Sequence, residues 1–137
     1  MESTIILWAE DDINQVELFK ECFENIGIKK IEHFTNGKDL VDYLRKENRK
    51  KYQHLIILDL SMPIMDGFEV LEDLKKDNEL KVIPIIVLTS AGDKETIDKC
   101  YALGCSSYIV KPIKFDQFKI KQKILGDFIG IISVPIK

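Results

Sequence analysis

Leu55-Ile56-Ile57-Leu58-Asp59-Leu60-Ser61-Met62-Pro63-Ile64-Met65-Asp66-Gly67 is the stretch that decides how the rest of the chain is read. Four apolar residues run without a break into Asp59, and Pro63 and Gly67 then punctuate the chain. A short, unbroken apolar run between turn signals predicts a strand buried on both faces, as in a parallel sheet. Such a strand delivers Asp59 to its C-terminal edge, where ligands bind in open α/β sheets. Pro63 removes a backbone donor from the loop, and Asp66-Gly67 can open the following helix. Taken alone, Asp59 fits a cap or turn aspartate equally well.

Upstream, Thr4 to Ala9 is a second apolar, β-branched run, and it stops at three acids, Glu10, Asp11 and Asp12. Leu18, Phe19, Cys22, Phe23 and Ile26 then recur at helical spacing up to Gly27. Lys30 to Thr35 alternates as a short strand, and Asn36-Gly37 turns into a helix with Leu40, Val41 and Leu44 on one face. Arg45 to Lys51 reads as a basic, solvated connector. It lacks interleaved aromatics before Tyr52, which makes it a poor nucleic-acid patch.

Downstream, Phe68, Val70, Leu71 and Leu74 mark a third helix. Pro84 starts a strand over Ile85 to Leu88, which ends at Thr89-Ser90-Ala91-Gly92. A helix from Lys94 runs through Ile97, Tyr101 and Leu103 to Gly104, and Ser107 to Val110 is the last strand, closed by Lys111-Pro112. A final helix carries Phe115, Phe118, Ile124, Leu125 and Phe128. Five strands alternating with five helices predict a doubly wound α/β fold. Its sheet is parallel, with right-handed crossovers and helices on both faces.

The 137 residues suit one domain, and 45% hydrophobic with 31% charged residues describes a globular chain. Twenty Lys and Arg against 23 acids leave a net charge of -3, which argues against an electrostatically driven nucleic-acid or membrane binder. The N-terminus lacks the basic region of a signal peptide, and no apolar run approaches the roughly 20 residues that span a bilayer. Cys22, Cys100 and Cys105 are odd in number and lack metal-site pairing. We read them as small buried hydrophobes in a reducing compartment, so the expected address is cytoplasmic.

In a parallel sheet every strand ends at one rim. The rim here carries Glu10, Asp11 and Asp12 after the first strand, Asp59 after the third, Thr89 after the fourth and Lys111 after the fifth. Like charges about 4 Å apart repel by roughly 4 kcal/mol at an effective dielectric near 20. Stability alone does not select that crowding, whereas a hard divalent cation such as Mg²⁺ offsets it. With a metal in place, Asp59 can act as a nucleophile on a phosphoryl group, while Lys111 and Thr89 stabilise the transferred oxygens.

These residues resemble the receiver domain of two-component response regulators, whose fold is of the flavodoxin-like kind. The match spans nearly the whole chain. It rests on Glu10-Asp11-Asp12, on Leu58-Asp59-Leu60-Ser61-Met62-Pro63-Ile64-Met65-Asp66-Gly67, on Leu88-Thr89-Ser90-Ala91 and on Tyr108-Ile109-Val110-Lys111-Pro112. The resemblance implies that Asp59 accepts a phosphoryl group from a phosphohistidine on a sensor histidine kinase. It implies that Glu10, Asp11, Asp59 and the backbone carbonyl of Ser61 hold Mg²⁺, with Asp12 as an additional acid. Lys111 would pair with the phosphoryl oxygens and Thr89 would hydrogen-bond to them. Tyr108 would be the switch aromatic, turning inward as Thr89 moves and reshaping the surface of helix four, strand five and helix five. The Lys111–Pro112 bond is expected to be cis.

Residues 1–137 are expected to form a single receiver domain without an output domain, so the effector would be a separate protein. The apolar tail over 126–137, with the long connector, is more weakly similar to stand-alone regulators serving cyanobacterial-type phytochrome kinases. Phe128, Ile129, Ile131 and Ile132 either finish packing the last helix or build a homodimer surface.

Rival functions fit less well. A flavodoxin-like cofactor site would place phosphate against the three early acids, which repel it. A phosphatase resembling the haloacid dehalogenases would carry an acid at position 61, which is Ser61. Turnover of external substrates is therefore not expected, only self-catalysed phosphoryl transfer and autodephosphorylation. A phosphate-independent pseudo-receiver that only binds partners is the alternative, although it would be expected to lose a rim residue, and none is missing.

Overall fold

β1 (Thr4–Ala9) is buried at all six positions and β4 (Ile85–Thr89) at all five, because apolar side chains leave the strands toward both faces of the sheet. β3 (Gln53–Leu58) is buried at every residue but the first. These strands lie inside a five-stranded parallel sheet of order β2-β1-β3-β4-β5, with β2 (Lys30–Phe34) and β5 (Ser107–Val110) at the edges. The computed structural model describes residues 4–25, 30–46 and 53–111.

Alternation along each strand divides the core in two. Ile6, Trp8, Leu55, Ile57, Ile86, Leu88 and Ile109 pack with Val16 and Phe19 of α1 (Ile13–Asn25). Ile5, Leu7, Ile56, Leu58, Ile85 and Val87 face the opposite way. They meet Leu40, Val41 and Leu44 of α2 (Gly37–Lys46), Val70, Leu71 and Leu74 of α3 (Gly67–Lys75), and Cys100 of α4 (Lys94–Ala102). Helices thus cover both faces, as the alternating pattern predicts.

The described residues hold all five strands and four α-helices. The expected fifth helix from Phe115, the tail, Ile26, Gly27 and most of the basic connector lie outside them, as does Pro112 with the isomer of its peptide bond. Three local readings change. Arg45 and Lys46 belong to the last turn of α2 rather than to a connector. Their charge suits a helix C-terminus, and Arg45 pairs with Asp73 of α3 at 2.8 Å. Tyr101 is 49% exposed, so the inward anchor of α4 is Cys100 instead. A 3-10 turn over Leu80–Val82, which the spacing of apolar residues did not announce, leads into β4.

Cys100 and Cys105 are buried free thiols, as expected; the side chain of Cys22 lies outside the described set. Burial pushes the Cys105 thiol up to about 11 and raises that of Cys100 as well. A shift of two units leaves about a hundredfold less thiolate at neutral pH. We therefore expect iodoacetamide at pH 8 to label Cys105 at about a hundredth of the free-cysteine rate or slower and Cys100 more slowly than a free cysteine, and both rapidly once denaturant is added. Peptide mapping by mass spectrometry distinguishes them from Cys22. Rapid native labelling would mean that this end of the sheet opens readily.

Candidate phosphoryl-acceptor site

The site begins with register. β1 and β3 are neighbours whose last partners are Ala9 and Leu58, so the next residues, Glu10 and Asp59, leave the sheet side by side. The Asp59 N–H donates to the Ala9 carbonyl at 3.1 Å, and the Glu10 N–H donates to the Phe34 carbonyl of β2 at 2.9 Å. The chain turns to opposite sides of the sheet after β1 and after β3. In open α/β sheets a ligand crevice forms at such a switch point.

Lys111 arrives from the other direction. Its N–H donates to the Thr89 carbonyl at 2.7 Å, which ties the end of β5 to the end of β4. Its ammonium lies 2.6 Å from Glu10 Oε1 and 3.8 Å from Asp59 Oδ2. Glu10, Asp59 and Lys111 are 1%, 8% and 7% exposed, so two carboxylates share one cation in a nearly dry place. Burial pushes the Glu10 carboxyl up to about 7 and the negative charge of Asp59 adds to the rise, against the hydrogen bond from Lys111, which lowers it.

Oxygens of Glu10, Asp11 and Asp59 all come within 4.8 Å of one another. An all-carboxylate donor set of this span suits a hard divalent cation, and a single ammonium leaves charge for that cation to offset. Asp12 is not in the group. Its Oδ1 accepts from the Asn14 N–H at 3.0 Å and its Oδ2 from Gln15 Nε2 at 3.3 Å, so it caps α1 instead.

The loop after Asp59 is pinned from several sides. The Ser61 N–H points to Asp59 Oδ1 at 3.5 Å. Asp66 caps α3 in a capping box, accepting from the Glu69 N–H at 2.9 Å while its own N–H donates to Glu69 Oε1 at 3.1 Å. The Met65 N–H donates to the Pro63 carbonyl at 2.7 Å, and Ile64 between them has φ 70°. A γ-turn on a β-branched residue is a strained backbone, held by the surrounding bonds.

Thr89 is buried at the end of β4, beside an open groove of about 500 Å³. Ser61, Asp66, Phe68, Ser90 and Thr96 also line it. Tyr108 on β5 is 9% exposed and its hydroxyl donates to the Ala91 carbonyl, with burial pushing the phenol up to about 12. The phenol is thus held inside the protein rather than turned to water. The rim thus assembles Glu10, Asp11, Asp59, Thr89 and Lys111, with Tyr108 behind them and Asp12 turned away. Sequence reasoning missed His33, whose Nε2 donates to the Glu10 backbone carbonyl at 2.6 Å. Nothing in an alternating edge strand distinguishes that histidine.

Residues 6–123 match the response regulator receiver domain. The probable methanogenesis regulatory protein FilR2 of Methanothrix harundinacea is 34% identical over 130 residues, spanning 89% of this chain and 84% of that protein. Among solved structures, the phosphorylated cyanobacterial phytochrome response regulator RcpA superposes with a TM-score of 0.81 at 30% identity, over 93% of this chain and 91% of that one. The Mn²⁺-bound form of response regulator Rcp1 also gives 0.81, at 28% identity over 97% and 98%. Sheet order, rim composition and these similarities lead to one assignment: the chain belongs to the response regulator receiver domain family.

Proposed function

We propose that this receiver accepts a phosphoryl group on Asp59 from a sensor histidine kinase in a Mg²⁺-dependent reaction, and that the phosphoryl group alters a surface read by a separate effector. The observation that carries the reading is the meeting of Asp59, Glu10, Asp11 and Lys111 at one rim, with the Lys111 ammonium 3.8 Å from Asp59 Oδ2. Similarity to RcpA, phosphorylated in its crystal structure, and to Rcp1, bound to Mn²⁺, supports it.

Glu10, Asp11, Asp59 and the Ser61 carbonyl would hold Mg²⁺, which when bound supplies the positive charge that carboxylates and phosphoryl oxygens share. An Asp59 carboxylate oxygen attacks phosphorus. The new O–P bond forms as the P–N bond of phosphohistidine breaks, and the electron pair stays with the imidazole nitrogen. Lys111 needs only a short swing from Glu10 to face the transferred oxygens, and Thr89 offers its hydroxyl from the end of β4. Movement of Thr89 changes the space around Tyr108, so charge at the rim is converted into packing at β5 and α4. Similarity to the cyanobacterial phytochrome response regulator RcpA supports a phytochrome-like kinase as the donor. The protein works in the cytoplasm; among the described residues no helix is long and apolar enough to cross a membrane.

Acetyl phosphate with Mg²⁺ is expected to add one phosphoryl group by intact-mass spectrometry, and Asp59→Asn to remove that addition. The same variant loses one of two buried like charges, so its unfolding free energy in EDTA is expected to rise by about 1 kcal/mol. Labelling at another residue, or a less stable Asp59→Asn, would point instead to a structural aspartate.

A further inference from the structure

The Glu10 carbonyl lies just past the end of the β1–β2 ladder. Its own N–H still donates to Phe34, but β2 stops there and the chain turns through Asn36 into α2. The donor that reaches this carbonyl is a side chain from the neighbouring strand, His33 Nε2, at 2.6 Å. A carbonyl only accepts, so Nε2 carries the proton. The bond therefore grips the Glu10–Asp11 peptide from outside the ladder.

Asp11 depends on that grip more than the other acids do. The Glu10 carboxylate is held by Lys111 and by the Asp12 N–H. The Asp59 backbone is tied to Ala9, and Asp12 is occupied in capping α1. The Asp11 carboxylate is exposed and accepts no hydrogen bond among the described residues, yet it lies in the cluster with Glu10 and Asp59. Its aim is consequently set by the backbone that carries it.

We propose that His33 is a positioning residue for the divalent-cation site: by clamping the Glu10–Asp11 peptide, it holds the Asp11 carboxylate in the cluster. The inference rests on the cation reading given above. Groups that orient metal ligands from behind change affinity by about 10- to 100-fold when removed.

The test is calorimetric titration of the full chain with Mg²⁺ alone, without any phosphodonor. His33→Phe keeps a planar ring but loses the donor, whereas His33→Gln keeps an N–H. His33→Phe is expected to weaken Mg²⁺ binding about tenfold. His33→Gln should stay near the wild-type affinity, and unfolding in EDTA should change little in either variant. If His33→Phe does not fold, His33→Leu makes the same comparison. Wild-type affinity in the donorless variant would overturn the proposal, and so would equal weakening in His33→Phe and His33→Gln, which would implicate the ring rather than the bond. Absence of Mg²⁺ binding by the wild-type chain would overturn the cation reading itself and this inference with it.

Discussion

Lys111→Met is expected to lower the unfolding free energy by about 3 kcal/mol at pH 8 in EDTA, measured by chemical denaturation. The physical reason is the place in which its ammonium sits. Lys111 donates to Glu10 at 2.6 Å and lies 3.8 Å from Asp59, all three being almost fully buried. Removing the cation leaves two buried carboxylates with no other paired cation among the described residues, and breaking a buried pair costs far more than an exposed one. The direction is opposite to that of Asp59→Asn, although both variants remove a charge from the same spot. Equal destabilisation by the two would mean that shape rather than charge governs the rim.

The pH dependence of that loss follows from Glu10, whose carboxyl is pushed up to about 7 in the fold, chiefly by burial. A raised carboxyl favours the protonated folded state, so its contribution is complete below the unfolded value near 4.3 and disappears as pH rises through about 7. In Lys111→Met the proton becomes a substitute for the missing cation. The difference from wild type is therefore expected to shrink when unfolding is repeated at pH 5.5. A constant difference across that range would count against the burial of Glu10.

Gly67→Ala is expected to destabilise the fold by about 2 kcal/mol and to slow phosphorylation by acetyl phosphate. A Cβ on Gly67 would sit 2.5 Å from the Asp59 carbonyl oxygen and 2.7 Å from Leu60 Cα. Both are backbone atoms, so no rotamer relieves the contact. The Gly67 N–H also donates to the Leu60 carbonyl at 3.0 Å, so the first turn of α3 presses on the peptide that follows the proposed acceptor. Stability and phosphorylation are thus expected to fall together, by denaturation and by intact-mass kinetics. Loss of stability with unchanged phosphorylation would show that Asp59 keeps its place when α3 is displaced.

Much of this protein is determined by the order of its residues. Unbroken apolar runs at Thr4–Ala9 and from Leu55 to Leu58 require a sheet covered on both faces, because neither face of such a strand tolerates water. Acids, an alcohol and an amine at successive strand ends then share a rim, since parallel strands finish at the same edge. Asp66-Gly67 as the opening of α3 is legible for the same kind of local reason, and the fold completes it as a capping box with Glu69.

Tertiary structure decided which of these groups touch. Strand order and the Ala9–Leu58 register put Glu10 against Asp59, and the tie from Lys111 to Thr89 brings the ammonium onto Glu10 first. Asp12, next in line to two cluster acids, turns to cap α1, a choice made by the orphan amides of that helix. His33 gained its contact only because β2 ends one residue too early to satisfy the Glu10 carbonyl by backbone. Periodicity reports which face a side chain takes along its own strand. Hydrogen bonds between strands depend on register and on where each strand stops, and those come from the packed sheet.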